Sequence, residues 1–352
     1  MNYLSVCSGI EAATVAWHDL GWKPVGFSEI EKFPSQVLAH HYPTVTNFGD
    51  MTKYKEWKID GTVGLLVGGT PCQSFSVAGL RKGLEDPRGN LALTYVGILD
   101  RFRPKWCVWE NVPGVLSSSG GRDFGAFLGA LAELGYGFAY RVLDAQNFGV
   151  PQRRRRVFVV GHLGDWKPAA EVLFESESLR GDIKKGRGER KDIANCLTKS
   201  PSSYSSYNPA RTEGNAVVAK VYENHPADSR ITEMGDVCST VTSRWGTGGG
   251  NVPLAQFVDT YNGTIQGNVS ATMTADMAGP THSGPKVMQN MAVRRLTPVE
   301  CERLQGFPDN YTNILKAADG NRYKALGNSM AVPVMRWIGE RINQYEREYG
   351  RN

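Results

Sequence analysis

The chain has 352 residues, of which 41% are hydrophobic and 21% charged, and it carries a net charge of +5. That length and apolar content allow one large domain with a smaller one beside it, and they exclude global disorder. The mild basic lean suits a polyanionic partner but does not establish one. Six cysteines, at 7, 72, 107, 196, 238 and 301, form no Cys-x-x-Cys pair. This disfavours a zinc ribbon or disulfide scaffold and points to a reducing cytoplasm. No basic leader precedes the first apolar run and no long apolar stretch follows, so neither a signal peptide nor a membrane span is expected.

In chain order, YLSVC at residues 3–7 predicts a short buried strand, and SGIEAATVAWHDLG predicts a helix that stops at Gly21. PVGFSEI predicts a second strand ending near Glu29, and EKFPSQVLAHHYP a second helix closed by Pro43. TVGLLVGG (62–69) is a third strand running into a loop, GGTPCQSFSVAG. PKWCVWENV (104–112) is another apolar strand, FGAFLGALAELG (124–135) a helix, and RRRVFVVGHLG (154–164) a strand after a basic loop. Strands alternating with helices predict an α/β sandwich around a mostly parallel sheet. From about 175 to 290 the sequence turns rich in Gly, Ser, Thr and Asn and loses helical periodicity. Three similar pieces recur there, NCLT (195–198), DVCSTVTSR (236–244) and NVSATMTA (268–275), at irregular spacing. Helical text returns at TPVECERLQGFP, with Thr297 placed as N-cap, Pro298 at the first helical position and Glu300 completing a capping box. The tail SMAVPVMRWIGERINQYEREY sets Val334, Trp337, Ile338, Ile342 and Tyr345 on one side, so it should pack back on the sheet.

Several residues stand out chemically. Cys72 follows the third strand, at the carboxyl edge where open α/β sheets bind ligands, with Pro71 restricting the backbone and Gly68-Gly69 permitting close approach. A thiolate there can attack electrophilic carbon; the plainer reading is an ordinary loop cysteine. Glu110 leaves a largely apolar strand, where a carboxyl can have a raised pKa and act as an acid, or simply cap the strand end. Among the four arginines 153–156, strand alternation puts Arg154 and Arg156 on one side, able to hold phosphate or carboxylate, or merely solvated. Gly9 before a helix, with Glu29 at the end of the next strand, suits a nucleotide-like ligand whose ribose Glu29 would bind; Asp50 can accept from an adenine amino group. GxGxxG is absent, so a dinucleotide is disfavoured.

Taken together, GGTPCQSFSVAG, ENV, QRRRRVF, RRLTPVECERLQGFP (294–308) and YKALGNSMAVP (323–333), in this order, resemble the DNA cytosine-5 methyltransferase family. The resemblance covers roughly residues 1–165 and 290–350. It implies a Rossmann-like S-adenosylmethionine-dependent methyltransferase domain, with a smaller, irregular, strand- and loop-rich target recognition domain inserted before the C-terminal segment. The corresponding division is 1–174, 175–290 and 291–352. It implies Cys72 as nucleophile, Glu110 as the acid at cytosine N3, and Arg154 and Arg156 near the base. It places the cofactor against Cys7, Ser8, Gly9, Ile10, Glu29, Ile30, Asp50, Met51, Pro71, Asn328 and Ser329, with Gln73, Ser74, Ser76, Asn111, Arg230 and Arg244 toward DNA. Arg88-Gly89 resembles a further family segment, and Arg211 and Asn251 join the candidate DNA contacts. The first loop departs from the family's FxGxGG pattern, with Cys7 at the aromatic position and Glu11 at the second glycine.

The implied reaction adds Cys72 to C6 of a flipped cytosine, with Glu110 stabilising the ring charge, before methyl transfer to C5 and elimination. No metal is expected. The expected partner is double-stranded DNA, with or without a separately acting restriction endonuclease, for a monomer in a prokaryotic cytoplasm, expressed from a prokaryotic or a viral gene. The rival readings are a transfer RNA cytosine-5 methyltransferase, an inactive DNA-binding homologue, and a cysteine hydrolase.

Overall fold

The computed structural model describes residues 1–71, 91–174, 220–224, 231–235, 238, 240–241, 254–256 and 293–350. Its first half is a Rossmann-like α/β core. Strands β1 (Asn2–Val6), β2 (Lys23–Ser28), β3 (Leu65–Gly68), β4 (Trp106–Asn111), β5 (Tyr136–Asp144) and β6 (Arg155–Leu163) form one sheet in the order β2-β1-β3-β4-β6-β5. The pairs β1–β2, β1–β3 and β3–β4 are parallel, and only β6 is reversed, running antiparallel to both β4 and β5. The expected mostly parallel sheet is therefore present, with one inverted strand. β3 is buried along its whole length and β4 at all but Glu110, which is why both read as continuous apolar runs.

Helices cover both faces. On one side lie α1 (Ala12–Trp17), α5 (Lys167–Leu173) and the long C-terminal α8 (Val332–Tyr349); on the other lie α3 (Leu91–Phe102) and α4 (Arg122–Glu133). α2 (Lys32–His41) follows β2. The tail rejoins the N-terminal elements as its apolar stripe predicts. Val334, Ile338 and Ile342 are buried, and Trp17 Nε1 donates to the Met335 carbonyl at 2.7 Å. Gly339 is required there, because a Cβ would stand 2.2 Å from Trp17 Nε1.

α6 (Pro298–Gln305) begins with the predicted capping box. Glu300 N donates to Thr297 Oγ1 at 3.3 Å, and Thr297 N to Glu300 Oε2 at 2.7 Å. α7 (Asp319–Asn328) precedes the turn into α8. Between the two parts of the core, β7 (Lys220–Asn224), β8 (Ile231–Gly235), β9 (Leu254–Gln256) and β10 (Val293–Arg295) form a second, antiparallel sheet, ordered β10-β9-β7-β8. The recurring pieces NCLT and NVSATMTA lie outside the described residues. Of DVCSTVTSR, residues 238, 240 and 241 are described.

Candidate active site

The strand order reverses direction between β1 and β3, since the chain places β2 on one side of β1 and β3 on the other. Ligands of open α/β sheets bind at the carboxyl ends of strands flanking such a switch. Here a small cavity lies at that point, lined by Ser5, Gly9, Glu11, Gly69, Glu110 and Ser329 among others. A wider groove between α2 and residues 314–325 touches it only at Asn328 and holds no comparable cluster of carboxyl and hydroxyl groups.

The loop after β1 turns sharply. Cys7, Gly9 and Glu11 all have positive φ, at 48°, 56° and 65°. Gly9 N donates to Glu29 Oε2 at 2.8 Å, and Glu31 N to Glu29 Oε1 at 2.7 Å, so β2's terminal carboxylate is fixed beside the loop. Each of those oxygens retains a further lone pair for a ligand hydroxyl. Ser8 is tied by its hydroxyl to Ser5 O at 3.0 Å. Ile10 is fully buried, so its side chain belongs to the core, and its carbonyl accepts from Tyr311 Oη at 2.9 Å. Ile30, by contrast, is 72% exposed beside Glu29. Asp50 Oδ1 caps the next turn, accepting from Thr52 N at 2.9 Å, and Met51 is buried with its sulfur 3.5 Å from Cys7 Sγ. Burial, followed by the charge of Glu29, pushes the Cys7 thiol up to about 12, so it stays protonated.

Glu110 emerges at the end of β4 with 12% of its side chain exposed. Burial raises its pKa, and Arg154 and Arg156 pull it back. Arg156 Nε stands 3.1 Å from Glu110 Oε1. Alternation holds as expected: Arg155 is exposed, whereas Arg154 is 3% exposed. Gly69 closes the approach from β3, where a Cβ would sit 3.0 Å from Glu110 Oε2.

Residues 1–344 match the C-5 cytosine-specific DNA methylase family. The chain belongs to that family. A DNA N-6-adenine-methyltransferase of Escherichia phage P1 is 38% identical over 97% of this chain, which spans only 61% of that protein's length. The Type II methyltransferase M.SsoII of Shigella sonnei is 29% identical over 96% of this chain and 79% of its own. The S. pombe Dnmt2 methyltransferase shares the fold, with a TM-score of 0.61 at 17% identity, over 99% of both chains.

Of the residues that the family pattern singles out, the structure brings together the Gly9 loop, Glu29, Glu110, Arg156, Asn328 and Ser329 at one sheet edge. Asn328 is exposed and Ser329 is buried, its carbonyl accepting from Arg154 at 2.6 Å. Cys72, Gln73, Ser74, Ser76, Arg88, Gly89, Arg211, Arg230, Arg244 and Asn251 lie outside the described residues, while Pro71 is exposed at their border. Asn111, expected toward DNA, is 4% exposed and turned inward. Its Nδ2 donates to Thr70 O at 2.9 Å, and its Oδ1 accepts from Val112 N at 2.8 Å. Trp109 Nε1 adds a bond to Thr70 Oγ1 at 3.0 Å. Thr70, two residues before Cys72, is a further positioning residue; it lies within GGTPCQSFSVAG, but nothing in that stretch sets it apart.

The family's S-adenosylmethionine fits this edge. Open space stands where a Gly9 Cβ would point, and Ile30 offers uncovered apolar surface beside the Glu29 carboxylate.

Proposed function

We propose that this chain transfers the methyl group of S-adenosylmethionine to C5 of a flipped cytosine within a short sequence of duplex DNA. The observation that carries the reading is Glu110. It is a nearly buried carboxyl of raised pKa at the switch point, faced by Arg156 and sharing a cavity with the Gly9 loop. Gly9, Glu29, Asp50 and Asn328 would hold the cofactor, which supplies an electrophilic methyl group on a sulfonium.

Cys72 thiolate adds to C6 of the base, and protonated Glu110 donates toward N3. The electron pair of the C5–C6 double bond then rests at C5, ready to accept the methyl group. Loss of the C5 proton to a base and elimination across C5–C6 return the Cys72 thiolate. Asn111 and Trp109 hold Thr70 and so set where the Cys72 loop leaves β3. The target base must leave the stack for this, at a cost of about a few kcal/mol. The region between residues 175 and 290 reads the DNA site. The enzyme acts as a monomer in a prokaryotic cytoplasm, with or without a separate restriction endonuclease. Among the described residues no helix is long and apolar enough to cross a membrane.

One finding favours a second reading: the phage P1 relative is named for adenine N6. That name covers the whole relative, more than a third of which lies outside the match. Wild-type protein and C72A, incubated with duplex DNA of diverse sequence or with transfer RNA, separate the readings by nucleoside mass spectrometry and base-resolution mapping. The expected outcome is 5-methylcytosine in one short DNA motif, lost with C72A. N6-methyladenine, a mark confined to transfer RNA, or full activity of C72A would each overturn the proposal.

A further inference from the structure

Glu11 stands where the family pattern has a glycine. The backbone explains that preference, since φ is 65° and ψ 61°, a left-handed conformation that costs a non-glycine residue about 1–2 kcal/mol. The residue nonetheless stays at the site, where its carboxylate accepts from Ser5, which lines the cavity too. Glu11 is 1% exposed and lines the same cavity as Gly9, Gly69 and Glu110. Ser5 Oγ donates to its Oε2 at 2.8 Å, while Thr14 N and Thr14 Oγ1 donate to its Oε1 at 3.2 and 3.1 Å. Three donors leave one of its roughly four acceptor positions unused.

Two carboxyls therefore share the cavity, in unlike surroundings. Glu110 is faced by Arg154 and Arg156. Glu11 is faced by Tyr3 from β1, Tyr42 following α2, and Tyr311. Burial and neighbouring charge raise the pKa of all three phenols, so none carries charge near neutrality. Glu29 and the protonated Cys7 complete the loop's titratable groups, and among the described residues no basic side chain forms an ion pair with Glu11. A buried carboxylate without a protein cation is costly unless a ligand supplies one.

We propose that Glu11 is a cofactor-binding residue whose carboxylate favours the sulfonium form of the cofactor over its uncharged thioether product. The inference rests on the reading of S-adenosylmethionine as cofactor. The methionine ammonium is common to S-adenosylmethionine and S-adenosylhomocysteine, so it cancels in a comparison of the two, and only the sulfur charge differs. Burial raises the Glu11 pKa to about 7, against the bonds from Ser5 and Thr14, which lower it. The preference for the sulfonium therefore grows as pH rises through neutrality and the carboxyl ionises.

The test is calorimetric binding of both ligands to the full-length protein at pH 6 and pH 8, without DNA. Wild-type protein should prefer S-adenosylmethionine about tenfold more strongly at pH 8 than at pH 6, the size expected for a partly screened buried charge. E11Q should lose that pH dependence. S5A keeps the carboxylate but removes a donor that lowers its pKa, so it should move the midpoint of the preference to higher pH. The conservative S5A variant provides the answer if E11Q does not fold. Equal loss of both affinities in E11Q, with the ratio unchanged, would leave Glu11 as a helix cap only and overturn the proposal, as would an unmoved midpoint in S5A. Failure of either ligand to bind wild-type protein would instead overturn the cofactor reading itself, and the proposal with it.

Discussion

Glu110 and Cys7 sit at the same sheet edge, and water is largely withheld from both, yet their neighbours drive their chemistry apart. Withdrawal from solvent disfavours the charged form of each. At Cys7 the adjacent Glu29 adds to that effect, so the thiol is inert and a nucleophile must be sought elsewhere. At Glu110 the two arginines oppose it, which leaves the carboxyl able to hold or release a proton. A group of this kind acts as an acid only while protonated. Methylation should therefore fall as pH rises through the raised Glu110 pKa, with Cys72 ionisation opposing it at the low-pH end. E110Q should slow methyl transfer by about 10²–10⁴-fold, the usual weight of general acid–base catalysis. Cofactor affinity should stay near wild type, and the high-pH limb of the profile should vanish. Single-turnover rates across pH measure this, and an unchanged limb in E110Q would remove Glu110 from the proton transfer.

At the scale of elements, the end of β4 acts on the end of β3. Asn111 and Trp109 both bond Thr70, one to its carbonyl and one to its hydroxyl. That arrangement fixes Thr70, from which the chain continues to Pro71. N111A removes the carbonyl's donor, so the maximal rate should drop by at least tenfold while cofactor affinity is unchanged. Rapid-quench kinetics beside equilibrium binding would show it, and equal falls in both quantities would point to general loosening of the site instead. The sequence made much of this architecture legible. The apolar runs of β1, β3 and β4, the Thr297 capping box and the stripe of α8 each follow from local periodicity or cap chemistry. β5 was missed because it lies at the sheet edge, where Tyr140 is 45% exposed and apolar residues need not run together. The helices over Lys167–Leu173 and Asp319–Asn328 were missed for a related reason, being short and weakly patterned. The inward turn of Asn111 was not legible, because nothing in one strand's sequence states which carbonyl on the next strand lacks a donor.

Across the whole molecule, Cys238 and Val241 of the inserted region are fastened to the core beside Glu110 and Arg154. Cys238 pairs with Gln152, and Cys238 N donates to Pro151 O at 2.9 Å. Gln152 is fully buried, accepts from Val241 N at 2.8 Å and donates to Leu304 O at 2.7 Å, so it joins the insertion to α6. Arg154 extends the fastening to a third segment. Its guanidinium donates to Val241 O at 3.1 Å, Gly327 O at 3.2 Å and Ser329 O at 2.6 Å, and its charge faces Glu110. One side chain thus touches the insertion and the turn into α8 while biasing the proton on the candidate acid. Lysine, a point charge on a flexible stem, cannot reproduce a planar fork that reaches three carbonyls. R154A leaves those carbonyls without their donor, and R154K offers one ammonium nitrogen in place of the two guanidinium nitrogens that reach Val241 O on one side and Gly327 O and Ser329 O on the other. Stability should fall by about 2–3 kcal/mol in R154A and less in R154K. On the proposal that the insertion reads DNA and that this fastening orients it, both variants should lose preference for the recognised DNA site over random duplex, with non-specific affinity little changed. Urea unfolding and competition binding at fixed salt would test the two effects together. A variant that loses stability but keeps full site preference would show that Arg154 only holds the core closed, and that the insertion finds its orientation through Gln152 and Cys238 alone.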